Sequence, residues 1–211
     1  MTGMKKKRVN RWIILLGLTF VAALVLALII VALYRPSHPV LEAGGRPVSD
    51  FPASLVESVT AQSVYPLAVD VAQSWQPDGQ PAIVSANWRP RQGRWLADVV
   101  WMFQFYSPAT RRLAVIIVDG GRARLLREAT SPYPLPTLGE DDWQVDSLAA
   151  LEAWWNAGGA TFQAIHSEVN LTAQLRMQAH SNRLVWTITG VSGNQVRSLI
   201  VDGATGERVQ D

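Results

Sequence analysis

One long apolar run dominates the pattern of hydrophobic and polar positions along the chain. Residues Ile13 to Tyr34 contain no charged side chain, and as a helix they would extend roughly 33 Å at about 1.5 Å per residue. The hydrocarbon core of a bilayer is about 30 Å thick, so residues 13–34 are predicted to form a transmembrane helix. The basic residues just before the span are Lys5, Lys6, Lys7, Arg8 and Arg11. Flanking basic residues stay in the cytoplasm, so we expect residues 1–12 inside the cell and the remainder outside.

A cleaved signal peptide is the alternative interpretation of this run. Signal sequences have an apolar region of about 7–15 residues and end in small residues at the cleavage site. Here the run is longer and ends in Leu33-Tyr34-Arg35-Pro36, and the chain has no cysteine to carry a lipid. The pattern favours an uncleaved single-pass anchor in the cytoplasmic membrane, with the lipid bilayer as a partner through residues 13–34.

Beyond the span, the pattern changes from a stalk to a helix. Residues 35–50 are rich in Pro and Gly without periodicity and predict a stalk. A short helix is expected within Ala53–Gln62. A longer amphipathic helix follows, with Pro66 in its first turn and Pro77-Asp78-Gly79 at its end. Its apolar positions have helical spacing: Val64, Leu67, Ala68, Val71 and Trp75.

Four strands are predicted next. Alternating or β-branched residues and the turn Asp119-Gly120-Gly121 indicate an antiparallel meander. The strands are Pro81–Trp88, Asp98–Tyr106, Leu113–Val118 and Arg122–Glu128. We expect residues 51–130 to form a first unit, followed by a linker at residues 131–145.

The same order of elements is predicted for a second unit, residues 146–211. Asp146 or Ser147 can cap a helix that buries Leu148, Leu151 and Trp155 and that Gly158-Gly159 would close. The predicted strands are Thr161–His166, Val169–Ala179, Arg183–Gly190, Arg197–Val201 and a short one ending near Val209.

Matching residues in the two units indicate an internal duplication. Val100-Trp101 corresponds to Val185-Trp186, and the run ending in Val118-Asp119-Gly120 corresponds to the one ending in Val201-Asp202-Gly203. A helix followed by a meander packs as two layers, so the predicted class is α+β: an N-terminal transmembrane helix and two units of helix plus antiparallel meander. The units could pair edge to edge or sheet to sheet.

The closing residues of the second unit carry a resemblance to a known family. The strand Val185-Trp186-Thr187-Ile188 and the segment from Leu199 to Val209 (LIVDGATGERV) resemble the PepSY and PepSY-like modules of bacterial envelope proteins, which have a cystatin-like arrangement. The first unit departs from the pattern because Asp119-Gly120-Gly121-Arg122 lacks the later Thr-Gly-Glu. The resemblance implies a non-catalytic extracytoplasmic module that binds or restrains peptidases.

Charge and cysteine content narrow the function classes. From Arg35 onward the chain has 14 Arg, no Lys and all 17 acidic residues, a net charge of −3. A mildly acidic domain is a poor partner for nucleic acid, so no nucleic-acid binding is predicted. Without cysteine no disulfide can form, and stability must come from a hydrophobic core.

No catalytic, cofactor-binding or metal-binding residue is predicted. His38, His166 and His180 form no ligand-spaced pair, and no nucleophile elbow or phosphate-binding loop is present. One acidic cluster precedes the second helix, where capping is favoured over a calcium site. It consists of Glu140, Asp141, Asp142 and Asp146.

The best candidate for a contact surface is the basic loop Arg89–Arg94 between two tryptophans. The possible partner-contact residues are Trp88, Arg89, Arg91, Arg94 and Trp95. The function predicted is binding of a peptide, a peptidase or an envelope protein outside the membrane, by recognition at a strand edge. Two alternatives stay open: a structural accessory subunit of a larger membrane complex, and a hydrolase with an unfamiliar site.

Overall fold

A computed structural model describes residues 51–178 and 180–209 of this 211-residue chain. The described part is an α+β fold with a large antiparallel sheet and two main helices. Within it no helix is long and apolar enough to cross a bilayer. The predicted tail, transmembrane helix and stalk (1–12, 13–34 and 35–50) lie outside the described residues.

Two helices open the described part. Helix α1 spans Ala53–Val56, shorter than expected, and α2 spans Ala61–Trp75. Helix α2 begins where the Thr60 hydroxyl accepts a hydrogen bond from the Ser63 N–H at 3.3 Å. Pro66 is therefore the sixth residue of α2 and lies inside the helix. Its predicted place in the first turn was wrong because the helix begins three residues before Val64, at Ala61.

The described residues form nine strands: β1 (Gln80–Trp88), β2 (Pro90–Arg91), β3 (Arg94–Trp95), β4 (Trp101–Ser107), β5 (Arg112–Asp119), β6 (Arg122–Thr130), β7 (Asn170–Gln178), β8 (Arg183–Ser192) and β9 (Gln195–Asp202). Seven of them form one antiparallel sheet in the order β6-β5-β4-β1-β7-β8-β9. The other two, β2 and β3, form a separate hairpin that follows β1. Gly120 and Gly121, both with positive φ, form the predicted hairpin turn between β5 and β6.

The strand order is symmetric about the central β1–β7 pair. Strands β4 and β5 lie on one side of the pair, and β8 and β9 lie on the other side in the same sequential order. The residues that the repeat equates also hold equivalent register positions: Trp101 lies opposite Val118, and Trp186 lies opposite Val201. The two halves thus meet edge to edge, through β1 and β7, in one continuous sheet.

All described helices pack on one face of this sheet. Helix α3 (Ser147–Trp154) covers the second half as α2 covers the first, and buried residues of both belong to one core cluster. At its centre the rings of Trp101 and Trp186 lie 6.4 Å apart, edge to face. Their indole N–H groups donate to the carbonyls of Val59 (2.8 Å) and Val145 (2.8 Å), each two residues before a main helix begins.

The segment after α3 differs from its prediction. Residues Trp155–Gly159 continue α3 into a kink, where Ala157 (ψ 15°) and Gly158 (φ 105°) leave helical geometry. Gly158 therefore ends one helical stretch, as predicted, because a positive φ breaks the helix. A second helix, α4 (Ala160–Ile165), begins directly after the kink, so the predicted strand Thr161–His166 is wrong: Thr161 to Ile165 are helical and His166 is extended.

Asp146 caps α3, which confirms the capping role predicted for this member of the acidic cluster. Its carboxylate accepts hydrogen bonds from the Ser147 N–H at 2.6 Å and from the Gln62 N–H at 3.1 Å. The second donor belongs to the first turn of α2, and the Ala61 N–H donates to the Ser147 hydroxyl at 3.0 Å. The N-termini of the two main helices are therefore capped together.

Candidate functional site

The basic loop singled out in the sequence forms the β2–β3 hairpin. Gln92 and Gly93 both have positive φ (54° and 74°) and make the two-residue turn at its tip. Arg89, Arg91 and Arg94 are exposed around this turn. The hairpin therefore has three exposed guanidinium groups on or next to its two short strands.

The two tryptophans that flank the hairpin lie in the core. Trp88 and Trp95 are each only 2% exposed. The ring of Trp88 contacts Trp101 at 5.8 Å, and the Trp95 indole donates to the Val169 carbonyl at 2.6 Å. Both side chains attach the hairpin to the core, because their rings and indole N–H groups make their contacts inside the protein. The predicted contact residues that remain accessible are the three arginines.

A second surface is formed by the outermost strand of the first half. We call the outward side of β6 (Arg122–Thr130) the β6 edge. Eight of the nine residues of β6 are exposed, and no segment among residues 51–178 and 180–209 pairs with this side. Within the described residues its outward backbone N–H and C=O groups have no partner, and such groups can pair with another chain.

A β-bulge determines which side chains of β6 lie together. Leu125 lies opposite Ile116 and Arg127 opposite Val115, so Leu126 is the extra residue. The bulge puts Arg127 on the same sheet face as Arg124, which lies opposite Ile117. This face is the one without helices, because Ile116, between Val115 and Ile117, packs in the helix-side core.

The cations of this face have few internal partners. Arg112 pairs with Glu128 on the helix side, and Arg183 pairs with Asp202 at 3.5 Å. Within the described part of the chain, Arg124 and Arg127 form no ion pair. Their register neighbours on β5 are apolar, and Leu126 between them is 50% exposed. The β6 edge therefore combines main-chain groups and positive charges that no described residue pairs with, together with apolar surface.

The opposite edge of the sheet is partly covered by the chain itself. After β9 the backbone turns back, and Arg208 bridges to Val201. The Val209 N–H donates to the Ile200 carbonyl at 2.9 Å, and the Asp202 N–H donates to the Glu207 carbonyl at 2.8 Å. The last predicted strand is thus a single bridge. It occupies part of the edge that would otherwise accept another chain.

A cavity of about 460 Å³ opens between α2 and the start of β1. Its walls include Tyr65, Gln73, Gln80, Phe105 and Thr137. No Asp, Glu, Lys, Arg or His side chain lines it. It offers hydrogen-bonding groups without a charge to orient a ligand, so it is a weaker candidate than the β6 edge.

Two of the three histidines lie within the described residues. His166 packs on Phe162 at 4.6 Å between ring centroids, and His180 is exposed; His38 lies outside the described residues. No group of three or more His, Asp or Glu side chains converges within residues 51–178 and 180–209.

Among the titratable groups of the described residues, Asp78 is the one whose pKa clearly departs from its ordinary value. Hydrogen bonds from the Ala109 N–H at 2.9 Å and from the Ser107 hydroxyl at 2.8 Å hold the pKa of Asp78 below 3.8. These bonds tie the turn after α2 to the turn between β4 and β5. The arrangement is structural.

Sequence reasoning identified β6 as a strand but missed it as a site. Arg124 and Arg127 are three residues apart, and strict alternation would put them on opposite faces. The bulge puts both side chains on one face, and the bulge can be recognised only from the pairing register of β5 and β6.

Comparisons with known proteins add little to this geometry. No family model matches the sequence, and no curated protein matches it. Among solved structures, the crystal structure of a candidate lipoprotein from Clostridium difficile 630 has a TM-score of 0.46 and 14% sequence identity, covering 69% of this chain and 90% of that one. Similarity at this level carries no information about function.

Proposed function

We propose that this protein is a single-pass, membrane-anchored binding module that presents its α+β domain outside the cell and binds an extended peptide or protein segment along the β6 edge. The anchor rests on the apolar run at residues 13–34 and its basic flank. The PepSY-like character rests on the helix-then-meander order of each half and on the closing residues of the second half. No catalytic residue is part of the proposal.

The observation that carries the proposal is the exposed outer strand of the sheet. Edge strands in natural proteins are protected from unwanted pairing by shortness, a covering segment, a bulge or charged side chains, since free edges pair with other chains. Strand β6 has the bulge and the charge, but it is nine residues long and no described segment covers its outward side. A strand of this kind can accept a peptide as an eighth member of the sheet.

Strand addition makes a prediction about the ligand backbone. In an antiparallel pair, alternate residues of a strand direct their N–H and C=O groups toward the neighbour, and the others direct them away. Methylating one alternate set of peptide nitrogens therefore removes the bonds to β6. Methylating the other set leaves them intact.

The test uses the full-length chain in detergent micelles. Peptides of nine residues, the length of β6, are screened as an array of varied composition, and the tightest binder is resynthesised in the two N-methylated forms. We expect one form to bind like the parent and the other to lose binding by tenfold or more, since each tenfold corresponds to about 1.4 kcal/mol. Equal binding of both forms, or no binder in the array, would contradict strand addition.

A further inference from the structure

We infer that the β6 edge selects an acidic extended segment, with carboxylates at alternate positions directed toward Arg124 and Arg127. This inference rests on the proposed strand addition and names the chemistry of the ligand. It follows from the placement of charge along the edge.

Neighbouring strands bring side chains of the same face close together. Residues directly opposite each other have Cβ atoms about 4.5–5.5 Å apart, and opposite charges there are favourable while like charges are unfavourable. A strand added outside β6 would place every second side chain beside Arg124 and Arg127 on the face without helices. Carboxylates at these positions would meet cations that have no ion pair among the described residues.

The intervening residues of the ligand would face the helix side. There they would lie next to Ala123 and Leu125, of which Leu125 is 37% exposed. An apolar side chain of the ligand at these positions would pack against Ala123 and Leu125. The favoured pattern is therefore acidic and apolar residues in alternation, matching the charge on one face and the exposed leucine on the other.

A second copy of this chain fits the same edge poorly. Pairing two β6 strands would bring Arg124 and Arg127 of each copy onto one shared face. Glu128 cannot offset them, because it lies on the opposite face and pairs with Arg112. Arg122 lies on the same face, opposite Asp119 of β5. Six guanidinium groups would then lie on the two adjacent β6 strands with no carboxylate of either β6 strand on that face, which is unfavourable. An acidic partner relieves this repulsion and a second copy increases it.

The experiment compares three nine-residue peptides on the full-length chain: alternating Asp and Val, alternating Lys and Val, and a peptide with the composition of the first but with all Asp residues in one block. Affinity is measured by fluorescence anisotropy at low and high ionic strength. We expect the alternating acidic peptide to bind at least tenfold more tightly than the other two. Its advantage should shrink with added salt, because exposed charges are screened.

Charge reversal provides the matched control. We expect R124E/R127E to weaken the acidic peptide by about tenfold or more and to bind the Lys–Val peptide better than the native chain does. The control, R89E/R91E, changes net charge equally but alters the β2–β3 hairpin, so it should retain most of the acidic-peptide affinity. Both pairs are exposed, and equal urea midpoints would show that the fold is kept.

The outcomes separate this inference from the proposed function. If the three peptides bind equally well and N-methylation still acts on alternate residues, strand addition stands and the acidic preference is wrong. The arginines would then serve only to discourage edge-to-edge association of copies. If R89E/R91E weakens binding as much as R124E/R127E, general attraction or the hairpin explains it, and the inference is overturned.

Discussion

The two halves of the sheet agree at the centre and differ at the edges. Trp101 and Trp186 hold equivalent register positions, meet edge to face and donate to equivalent carbonyls. At the first outer edge the chain adds an exposed strand, β6. At the second, Glu207 to Val209 cover part of β9 through the bridge between Val201 and Arg208 and two main-chain hydrogen bonds.

This difference separates positions that hold the fold from positions free to vary. A buried tryptophan needs a hydrogen-bond acceptor for its indole N–H and a cavity of matching volume. Both halves therefore have a tryptophan at this position, bonded to the carbonyl two residues before a helix. An edge strand has no such constraint on its outward side. Function that depends on binding is therefore expected where the halves diverge, at the β6 edge.

The largest expected effect is the loss of either central tryptophan. Trp101→Ala and Trp186→Ala each remove a fully buried ring and one hydrogen bond. The Val59 carbonyl loses its indole donor, and the Val145 carbonyl keeps only the Trp143 indole at 3.0 Å. We expect each to reduce the free energy of unfolding by about 3–5 kcal/mol. Urea unfolding followed by circular dichroism measures this. The conservative Trp→Phe variants, which lose mainly the hydrogen bond, should cost less.

We also expect Trp101→Ala and Trp186→Ala to reduce the free energy of unfolding by similar amounts. The halves share one sheet through β1 and β7, so each variant should unfold in a single transition. Two separate transitions, or one tryptophan that is dispensable, would show that the halves are not equivalent parts of one core.

A smaller effect is expected at the shared helix caps. Asp146 accepts N–H donors from both main helices, whereas Thr60 accepts one from α2 alone. We expect Asp146→Ala to cost about 2 kcal/mol and Thr60→Ala about 1 kcal/mol. The two urea midpoints give the ranking directly. A Thr60→Ala cost equal to or larger than that of Asp146→Ala would contradict joint capping.

The residues that pair with the outer side of β9, Glu207 to Val209, are expected to contribute a little to the free energy of unfolding and to limit self-association. Ending the chain after Gly206 removes the hydrogen bonds made by Glu207 and Val209. We expect a loss of about 1–2 kcal/mol, since each bond contributes about 1 kcal/mol. A newly free edge should also promote concentration-dependent self-association, which light scattering detects. An unchanged chain would mean that the bridge does not protect this edge.

The smallest effect concerns Asp78 and acid. The pKa of Asp78 is lowered in the folded state, so its contribution to stability is present above pH 3.8 and is lost as pH falls through the folded pKa. Asp78→Asn removes that contribution. The variant should be less stable at neutral pH and less sensitive to acid below about pH 3.8. Parallel pH profiles for the variant and the native chain would contradict this assignment.

Much of the fold could be predicted because its signals are local. Apolar spacing predicted α2, alternation predicted most strands, and the Gly120-Gly121 turn predicted the β5–β6 hairpin. The predicted strand Thr161–His166 was wrong because a second helix, α4, begins directly after Gly158 breaks the first. Whether a helix or a strand follows a glycine with positive φ depends on tertiary packing, which local sequence does not reveal.

The candidate site was predictable only in part, because it depends on strand order and register. The hairpin arginines were correctly expected at the surface, yet Trp88 and Trp95 are core residues. The position of β6 at the sheet edge follows from the central β1–β7 pairing, which joins residues far apart in the chain. The bulge at Leu126 then determines which arginines share a face.

Amide hydrogen exchange of the full-length chain, with and without the alternating Asp–Val peptide, tests the central claim most directly. The account predicts that the peptide slows exchange in β6 (Arg122–Thr130) and leaves the β2–β3 hairpin unchanged, because new main-chain hydrogen bonds form only along the outer strand. Bound peptide with unchanged exchange in β6, or protection confined to the hairpin, would contradict it.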